Sequence, residues 1–154
     1  MRRSITRIAH GLAATLLLLV AACGDPPPAP EQAVREWVER GEALAEDKDR
    51  RALVDMIAEA YTDGRGNTRD DISDMFRAVF IGQKTVSLIV SIDDIEVYGD
   101  SAAQLSLTVG MAGLSNTRFG MNADAYKFEM ELEQRDDEWL LYSARWAPVG
   151  GDLR

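Results

Sequence analysis

The hydrophobic pattern of this 154-residue chain changes its period at Lys84. Before Lys84, apolar residues recur every three or four positions, the spacing of one face of a helix. After it, they alternate with polar residues, as in a strand with one buried face. Because helical segments come first and strands follow, the pattern predicts an α+β domain. We expect three N-terminal helices followed by four antiparallel strands.

Three amphipathic segments form the first half of the predicted domain. The first covers residues 31–46, with Pro30 at its start. The second is predicted from apolar residues at helical spacing, namely Leu53, Met56, Ile57, Ala60 and Tyr61. It is expected to end at the glycine-containing segment 63–67. Thr68 and Asp71 then have the spacing of a capping box, which predicts the start of the third helix.

Four alternating segments follow the helices. Residues 86–97 alternate but change phase at Asp93 and Asp94, which predicts a bulge or bend in the first strand. Residues 98–101 predict a tight turn into the second strand. A longer connection leads to the third strand, and residues 139–147 form the last one.

The N-terminus has the layout of a bacterial lipoprotein signal peptide. A positively charged start precedes an apolar run of about 11 residues, which is shorter than the roughly 20 needed to span a bilayer. The run ends in VAAC, closing at Cys23, and resembles the lipobox, in which the chain is cut before a cysteine that is then acylated. We therefore expect a signal peptide over 1–22, a lipidated Cys23 with a proline-rich tether over 23–30, a domain over 31–148 and a tail over 149–154.

The expected processing also limits the chemistry of the mature chain. The only histidine, His10, leaves with the signal peptide, and the only cysteine, Cys23, becomes the anchor. This excludes Ser-His-Asp and Cys-His catalysis and zinc sites of the His/Cys type, and we expect no metal or cofactor. Loss of three arginines changes the formal net charge from −9 to −12, which argues against nucleic acid and anionic lipid head groups as partners.

The order of elements, together with a last strand reading WLLYSARW from Trp139 to Trp146, resembles the NTF2-like superfamily over about residues 31–148. The resemblance implies an α+β cone in which the three N-terminal helices pack on a strongly bent, four-stranded antiparallel sheet and leave a cavity open at one end. That superfamily includes ketosteroid isomerases, SnoaL-like polyketide cyclases and non-catalytic binding or dimerising modules. The fold alone therefore does not assign a function.

The isomerase members share one of three catalytic positions with this chain. Their oxyanion tyrosine corresponds to Trp37, which has no hydroxyl group. Their oxyanion aspartic acid corresponds to Asp124, shortly before Tyr126, although an aspartate is also common in a turn before a strand. Their base has no clear equivalent, and Asp63 is the nearest residue. The resemblance therefore supports an isomerase mechanism only in part.

Two functions stay open on this basis. The favoured one is a non-enzymatic lipoprotein whose domain binds a small apolar ligand or an envelope protein partner. The alternative is an isomerase-like or hydrolase-like enzyme that uses carboxylates inside the cone. The residues expected to line the cavity are Trp37, Tyr61, Asp93, Asp124, Tyr126 and Trp146.

The N-terminal lipid also predicts location. Gly24, not an aspartate, follows Cys23, and this favours the outer membrane, facing the periplasm. The exposed face of the sheet is a further candidate surface, for a homodimer. Glu129, Glu131 and Glu133 would place like charges on it, unless basic residues such as Arg118 and Arg145 oppose them.

Overall fold

The structure is a computed structural model that describes residues 28–112 and 125–154, except for the side chains of residues 111 and 112. The predictions for Cys23, the signal peptide and Asp124 therefore lie outside the described residues. The elements, in chain order, are α1 (Pro30–Glu46), α2 (Arg50–Asp55), β1 (Ile57–Asp63), α3 (Arg69–Gly82), β2 (Ser87–Tyr98), β3 (Ala102–Ala112), β4 (Ala125–Arg135) and β5 (Glu138–Pro148).

The strands form one mixed sheet in the order β1-β5-β4-β3-β2. Strands β2 to β5 are antiparallel neighbours, as the alternating pattern predicts. Strand β1 pairs with β5 in parallel. The prediction of a four-stranded antiparallel sheet is therefore wrong by one strand, since the described residues form a mixed sheet of five strands.

The additional strand, β1, replaces the second half of the predicted second helix. Helix α2 ends at Asp55, and the backbone oxygen of Met56 accepts a hydrogen bond from Leu141 N at 2.9 Å. Ile57 and Tyr61 are buried, whereas Ala60, which the helical pattern requires on the apolar face, is exposed. Pairing with β5 satisfies the backbone groups of this segment, and this tertiary contact overrides the local helical spacing.

Strand β2 contains the bulge that the sequence predicts. Ile92 pairs with Leu107 and Asp94 pairs with Ser106, so Asp93 is an extra residue in β2. A bulge bends its strand and increases the local twist. The change of phase keeps Ile92 and Ile95 on the same side of the strand, where both pack against the core. The prediction of a bulge at this position is confirmed.

The core lies between the helices and one face of the sheet. Its most deeply buried side chains are Val34, Leu105 and Leu132, from α1, β3 and β4. Helix α3 begins with the predicted capping box, in which Thr68 and Asp71 bond to each other's backbone and side chain. Among the described residues, the buried cluster lies between Val34 and Ala144.

The segment after β5 folds back onto the sheet. Trp146 N donates a hydrogen bond to the backbone oxygen of Arg154 at 3.0 Å. A Cβ atom at Gly64 would overlap with the backbone carbonyl carbon of Arg154, so this close approach requires glycine. In the described part of the chain, none of the helices has the length and apolar character needed to cross a membrane.

Candidate ligand-binding cavity

A cavity of about 360 Å³ lies between the helices and the sheet. Every helix and strand within the described residues contributes side chains to its wall. The wall is aromatic and aliphatic, and Glu42 is the single charged residue among the described lining residues. A space of this kind excludes charged groups and favours apolar surface.

Four of the residues predicted to line a cavity lie together in this wall. Trp37 comes from α1, Tyr61 from β1, Tyr126 from β4 and Trp146 from β5. The rings of Tyr126 and Trp146 have centroids 5.9 Å apart, and Phe128 stacks on Trp146 at 6.2 Å. The last two strands thus supply a continuous aromatic surface on one side of the cavity.

Arg65 supports this aromatic surface from the loop after β1. Its guanidinium carbon lies 3.5 Å from the centroid of a Trp146 ring, and its Nη2 donates to the Trp146 backbone oxygen at 3.1 Å. The cation–π contact and the hydrogen bond together hold the indole from outside. The role of Arg65 was not predictable from the sequence, because Arg65 stands in a loop predicted only as a helix stop and its partner is 81 residues away.

Asp63, the nearest counterpart of the isomerase base, is buried but already bound. Its Oδ1 accepts hydrogen bonds from the backbone N–H groups of Arg65 and Asn67, both at 2.8 Å. Its Oδ2 accepts from Asn67 Nδ2 at 2.6 Å. Burial acts to raise the pKa of Asp63, but these bonds and one from the Trp146 side chain outweigh it, so the pKa lies below its ordinary value. Asp63 is therefore an ionised carboxylate that holds the 63–67 loop, and a weaker base than a free one.

The other two predicted carboxylates do not join Asp63. Asp93 is exposed, lies outside the cavity lining and accepts a hydrogen bond from Thr108 Oγ1 at 2.9 Å. It was expected inside the cavity, but as the extra residue of the β2 bulge it lies on the opposite side from Ile92 and Ile95. Asp124 lies outside the described residues.

Two of the lining residues, Tyr61 and Trp37, carry a buried polar group. Burial, and secondly the nearby Asp63 carboxylate, raise the pKa of the Tyr61 hydroxyl far above its ordinary value, so Tyr61 is neutral and keeps its proton. The Nε1 atom of Trp37 is buried, and no hydrogen-bond acceptor for it occurs among residues 28–112 and 125–154. The cavity wall therefore combines an apolar surface with very few polar groups.

The opposite face of the sheet carries the glutamates of β4. Arg145 Nη2 pairs with Glu129 at 2.7 Å, and Arg135 Nη2 pairs with Glu133 at 3.0 Å, while Glu131 is exposed. Arg145 thus provides the opposing charge that the sequence left unplaced. Such exposed pairs contribute little to stability, and the homodimer through this face stays a prediction.

Comparison with known proteins places this geometry in a fold class. No protein-family model and no curated protein sequence matches the chain. An NTF2-like protein of unknown function from Shewanella oneidensis MR-1 is similar in structure, with a TM-score of 0.59 and 17% sequence identity, over 75% of this chain and 96% of its own. A second NTF2-like protein of unknown function, from Silicibacter pomeroyi DSS-3, has a TM-score of 0.59 and 16% identity over 80% and 95%.

A third similar structure is Aln2 from a Streptomyces species, with a TM-score of 0.61 and 12% identity over 82% of this chain and 96% of that protein. Each similarity extends over most of both chains while sequence identity stays low. The comparisons therefore show a shared fold, the α+β NTF2-like cone.

Proposed function

On the premise of an NTF2-like fold, we propose that this chain is a lipid-anchored lipoprotein facing the periplasm, and that its domain binds a small apolar ligand without catalysis. The observation that carries the proposal is the cavity of about 360 Å³ with its aromatic and aliphatic wall. Its volume lies near the lower end of the roughly 300–1,000 Å³ found for ligand pockets. A compact molecule therefore suits it better than a long one.

The position of the carboxylates supports binding over carboxylate catalysis. A general base must reach the proton that it removes and have a pKa near the working pH. The hydrogen bonds that hold Asp63 lower its pKa, and Asp93 is exposed outside the lining. Glu42 is the one carboxylate among the described lining residues. Arg65 contacts the Trp146 ring but is not itself a lining residue.

The expected tether suits a binding protein that works beside a membrane. Its prolines favour an extended chain, which would hold the domain away from the bilayer surface. The acidic domain would be repelled by anionic head groups, so the lipid at Cys23 would supply the attachment. A ligand that partitions into membranes would then meet the cavity at high local concentration.

The test uses the chain from Gly24 to Arg154, exported to the periplasm behind a cleavable secretion signal. Native mass spectrometry should show a bound small molecule on the purified protein. The uncharged fluorescent probe N-phenyl-1-naphthylamine should bind saturably with a stoichiometry near one. Ala45→Phe places a bulky ring at a lining position of α1 and should weaken probe binding by at least about tenfold.

The matched control is Ala43→Phe, two residues away on the same helix. Ala43 is exposed and outside the lining, so the same substitution there should leave probe affinity within about twofold. Absence of both an adduct and saturable probe binding would overturn the cavity proposal. In that case recognition of an envelope protein by the domain surface becomes the better explanation.

A further inference from the structure

Helix α3 covers the cavity without being buried in the core. In the described part of the chain, α1 buries Val34 and Val38 and α2 buries Leu53, whereas none of the 14 residues of α3 is buried. Five side chains of α3 nevertheless line the cavity, namely Ile72, Met75, Phe76, Val79 and Phe80. The apolar face of this helix therefore borders a space that a ligand would occupy, and little buried packing opposes its movement.

The N-terminal part of α3, residues 69–76, is firmly attached to the rest of the domain. Its capping box closes the first turn. Ile72 and Phe76 pack against the buried core, and Arg69 Nε donates a hydrogen bond to the backbone oxygen of Val54 at 3.1 Å. This end of the helix is therefore the fixed end, about which the rest would tilt.

The C-terminal part of α3, residues 77–82, depends on a single side-chain hydrogen bond among the described residues. Lys48 Nζ donates to the backbone oxygen of Gln83, the C-cap of the helix, at 2.6 Å. Beyond the next few residues, Leu88 N in β2 donates to Glu46 Oε1 at 2.9 Å, so the start of that strand is held separately. If the Lys48 bond breaks, the short segment after α3 can absorb a movement of the helix end.

Lys48 occupies a backbone position that favours glycine. Its φ is 57°, in the left-handed region, directly after the C-cap of α1. Lys48 N donates to the Ala45 backbone oxygen, and the N–H of the next residue donates to that of Leu44. These two bonds form a Schellman motif, in which the left-handed residue is usually glycine. Because a side chain is disfavoured there, the lysine indicates a role beyond ending α1, and its bond to Gln83 provides one.

We propose that α3 is a lid over the cavity and that Lys48 is the latch that holds it closed. Release of Gln83 would let the helix tilt about its N-terminal part and open a path for the ligand. The proposal rests on the proposed function, because it states how a ligand reaches that same cavity. Lys48 is not a lining residue, so it acts through the position of α3 and not through contact with the ligand.

A lid has a kinetic signature that distinguishes it from a residue that only stabilises the fold. The ligand must pass the open state both to enter and to leave, so weakening the latch accelerates both steps and leaves the affinity nearly unchanged. Lys48→Met removes the ammonium group and keeps most of the aliphatic stem. Lys48→Gly also relieves the left-handed backbone. Lys84→Met is the matched control, because Lys84 is an exposed lysine in the segment just after α3.

The experiment uses residues 24–154, which contain every described residue, and the probe N-phenyl-1-naphthylamine. Stopped-flow fluorescence should show both rate constants, for association and for dissociation, raised by about fivefold to tenfold in each Lys48 variant, with the dissociation constant within about twofold. Hydrogen exchange measured by mass spectrometry should be faster by a similar factor in residues 77–82 and unchanged in β3 and β4. Lys84→Met should match the unsubstituted protein in both measurements.

The outcomes separate the lid from the proposed function. If the probe binds and the Lys48 variants leave both rate constants unchanged, the lid is overturned and the binding function stands. If only dissociation accelerates and the affinity falls, Lys48 stabilises the bound complex and the lid is again overturned. If the probe does not bind the unsubstituted protein, both proposals fail. Thermal unfolding verifies that each variant is folded, and Lys48→Gly should melt at a higher temperature than Lys48→Met, because glycine tolerates the left-handed backbone.

Discussion

Asp63 is a buried carboxylate at the end of β1 whose hydrogen bonds fix the loop that follows. Two backbone N–H groups and the Asn67 amide donate to it, so both oxygens are occupied. The loop then positions Arg65 against Trp146 in the cavity wall. A single carboxylate thus links the edge of the sheet to the aromatic surface on which the proposed ligand would lie.

Asp63→Asn should destabilise the domain by about 2 kcal/mol at pH 7, because an amide accepts fewer hydrogen bonds and lacks the negative charge. The pKa of Asp63 is lowered in the folded state, so its contribution is present above the unfolded-state value of about 3.9. That contribution is lost as the pH falls through the lower, folded-state value. The difference between the variant and the unsubstituted protein should therefore shrink below about pH 4.

Urea denaturation between pH 2.5 and 7 measures this difference in the free energy of unfolding. Asp93→Asn is the matched control, since Asp93 is exposed and accepts one hydrogen bond from Thr108. That variant should stay within about 0.5 kcal/mol of the unsubstituted protein at every pH. An Asp63→Asn penalty that is constant with pH would contradict the role of the ionised carboxylate.

The bulge in β2 lies in a strand that contributes side chains to the cavity wall. Asp93 is the extra residue, because Ile92 and Asp94 pair with the adjacent residues Leu107 and Ser106 of β3. Deleting Asp93 would leave each remaining residue of β2 opposite its present partner and would restore regular alternation. The variant should fold, but with a straighter strand, since the bulge is the source of the local bend.

We expect this deletion to weaken binding of N-phenyl-1-naphthylamine by about tenfold, because Val90 and neighbouring lining residues of β2 would move relative to α1. Fluorescence titration measures the effect, and circular dichroism monitors the fold. Asp93→Ala keeps the extra residue and removes only the contact with Thr108, so its affinity should be unchanged. Unchanged affinity in the deletion variant would show that the bulge does not shape the cavity.

The strands also show which secondary-structure elements the hydrophobic pattern of the sequence can predict. The sequence could predict strands β2 to β5 and the bulge at Asp93. Each of these strands buries one face, so apolar and polar residues alternate along it. Strand β1 could not be predicted, because Ile57 and Tyr61 are four residues apart, a spacing that a helix also produces. Its identity depends on parallel pairing with Leu141, a contact distant in the chain.

The cavity was predictable in its aromatic residues and less so in its polar ones. Trp37, Tyr126 and Trp146 stand at apolar positions of predicted elements, and all three belong to the lining. Asp63 is the last residue of β1 and Arg65 lies in the loop after it, where no periodicity indicates which way a side chain points. The lack of an acceptor for the Trp37 N–H among the described residues depends on every surrounding atom and leaves no sequence signal.

At the scale of the whole molecule, the question is which part of the chain would attach it to a membrane. The buried cluster of the described residues lies between Val34 and Ala144, and the proposed anchor at Cys23 precedes it in the chain. A domain with an expected net charge of −12 gains no attraction from an anionic bilayer. Its proposed place at the membrane therefore depends on acylation of Cys23, and this dependence is open to a direct test.

Expressed with its own N-terminus in a Gram-negative host, the chain should incorporate an alkyne-labelled fatty acid and sediment with the outer membrane. Cys23→Ser removes the acylated thiol and should abolish the label and the cleavage before residue 23. Gly24→Asp places an aspartate directly after the cysteine and should retain the labelled protein in the inner membrane, whereas Gly24→Ser should leave it in the outer membrane. Label incorporation that persists in Cys23→Ser would contradict the anchor, because Cys23 is the only cysteine in the chain. Equal sorting of the two Gly24 variants would overturn the inference of location from residue 24, and sedimentation of the unsubstituted protein with the inner membrane would overturn the outer-membrane location. Neither result would affect the anchor itself.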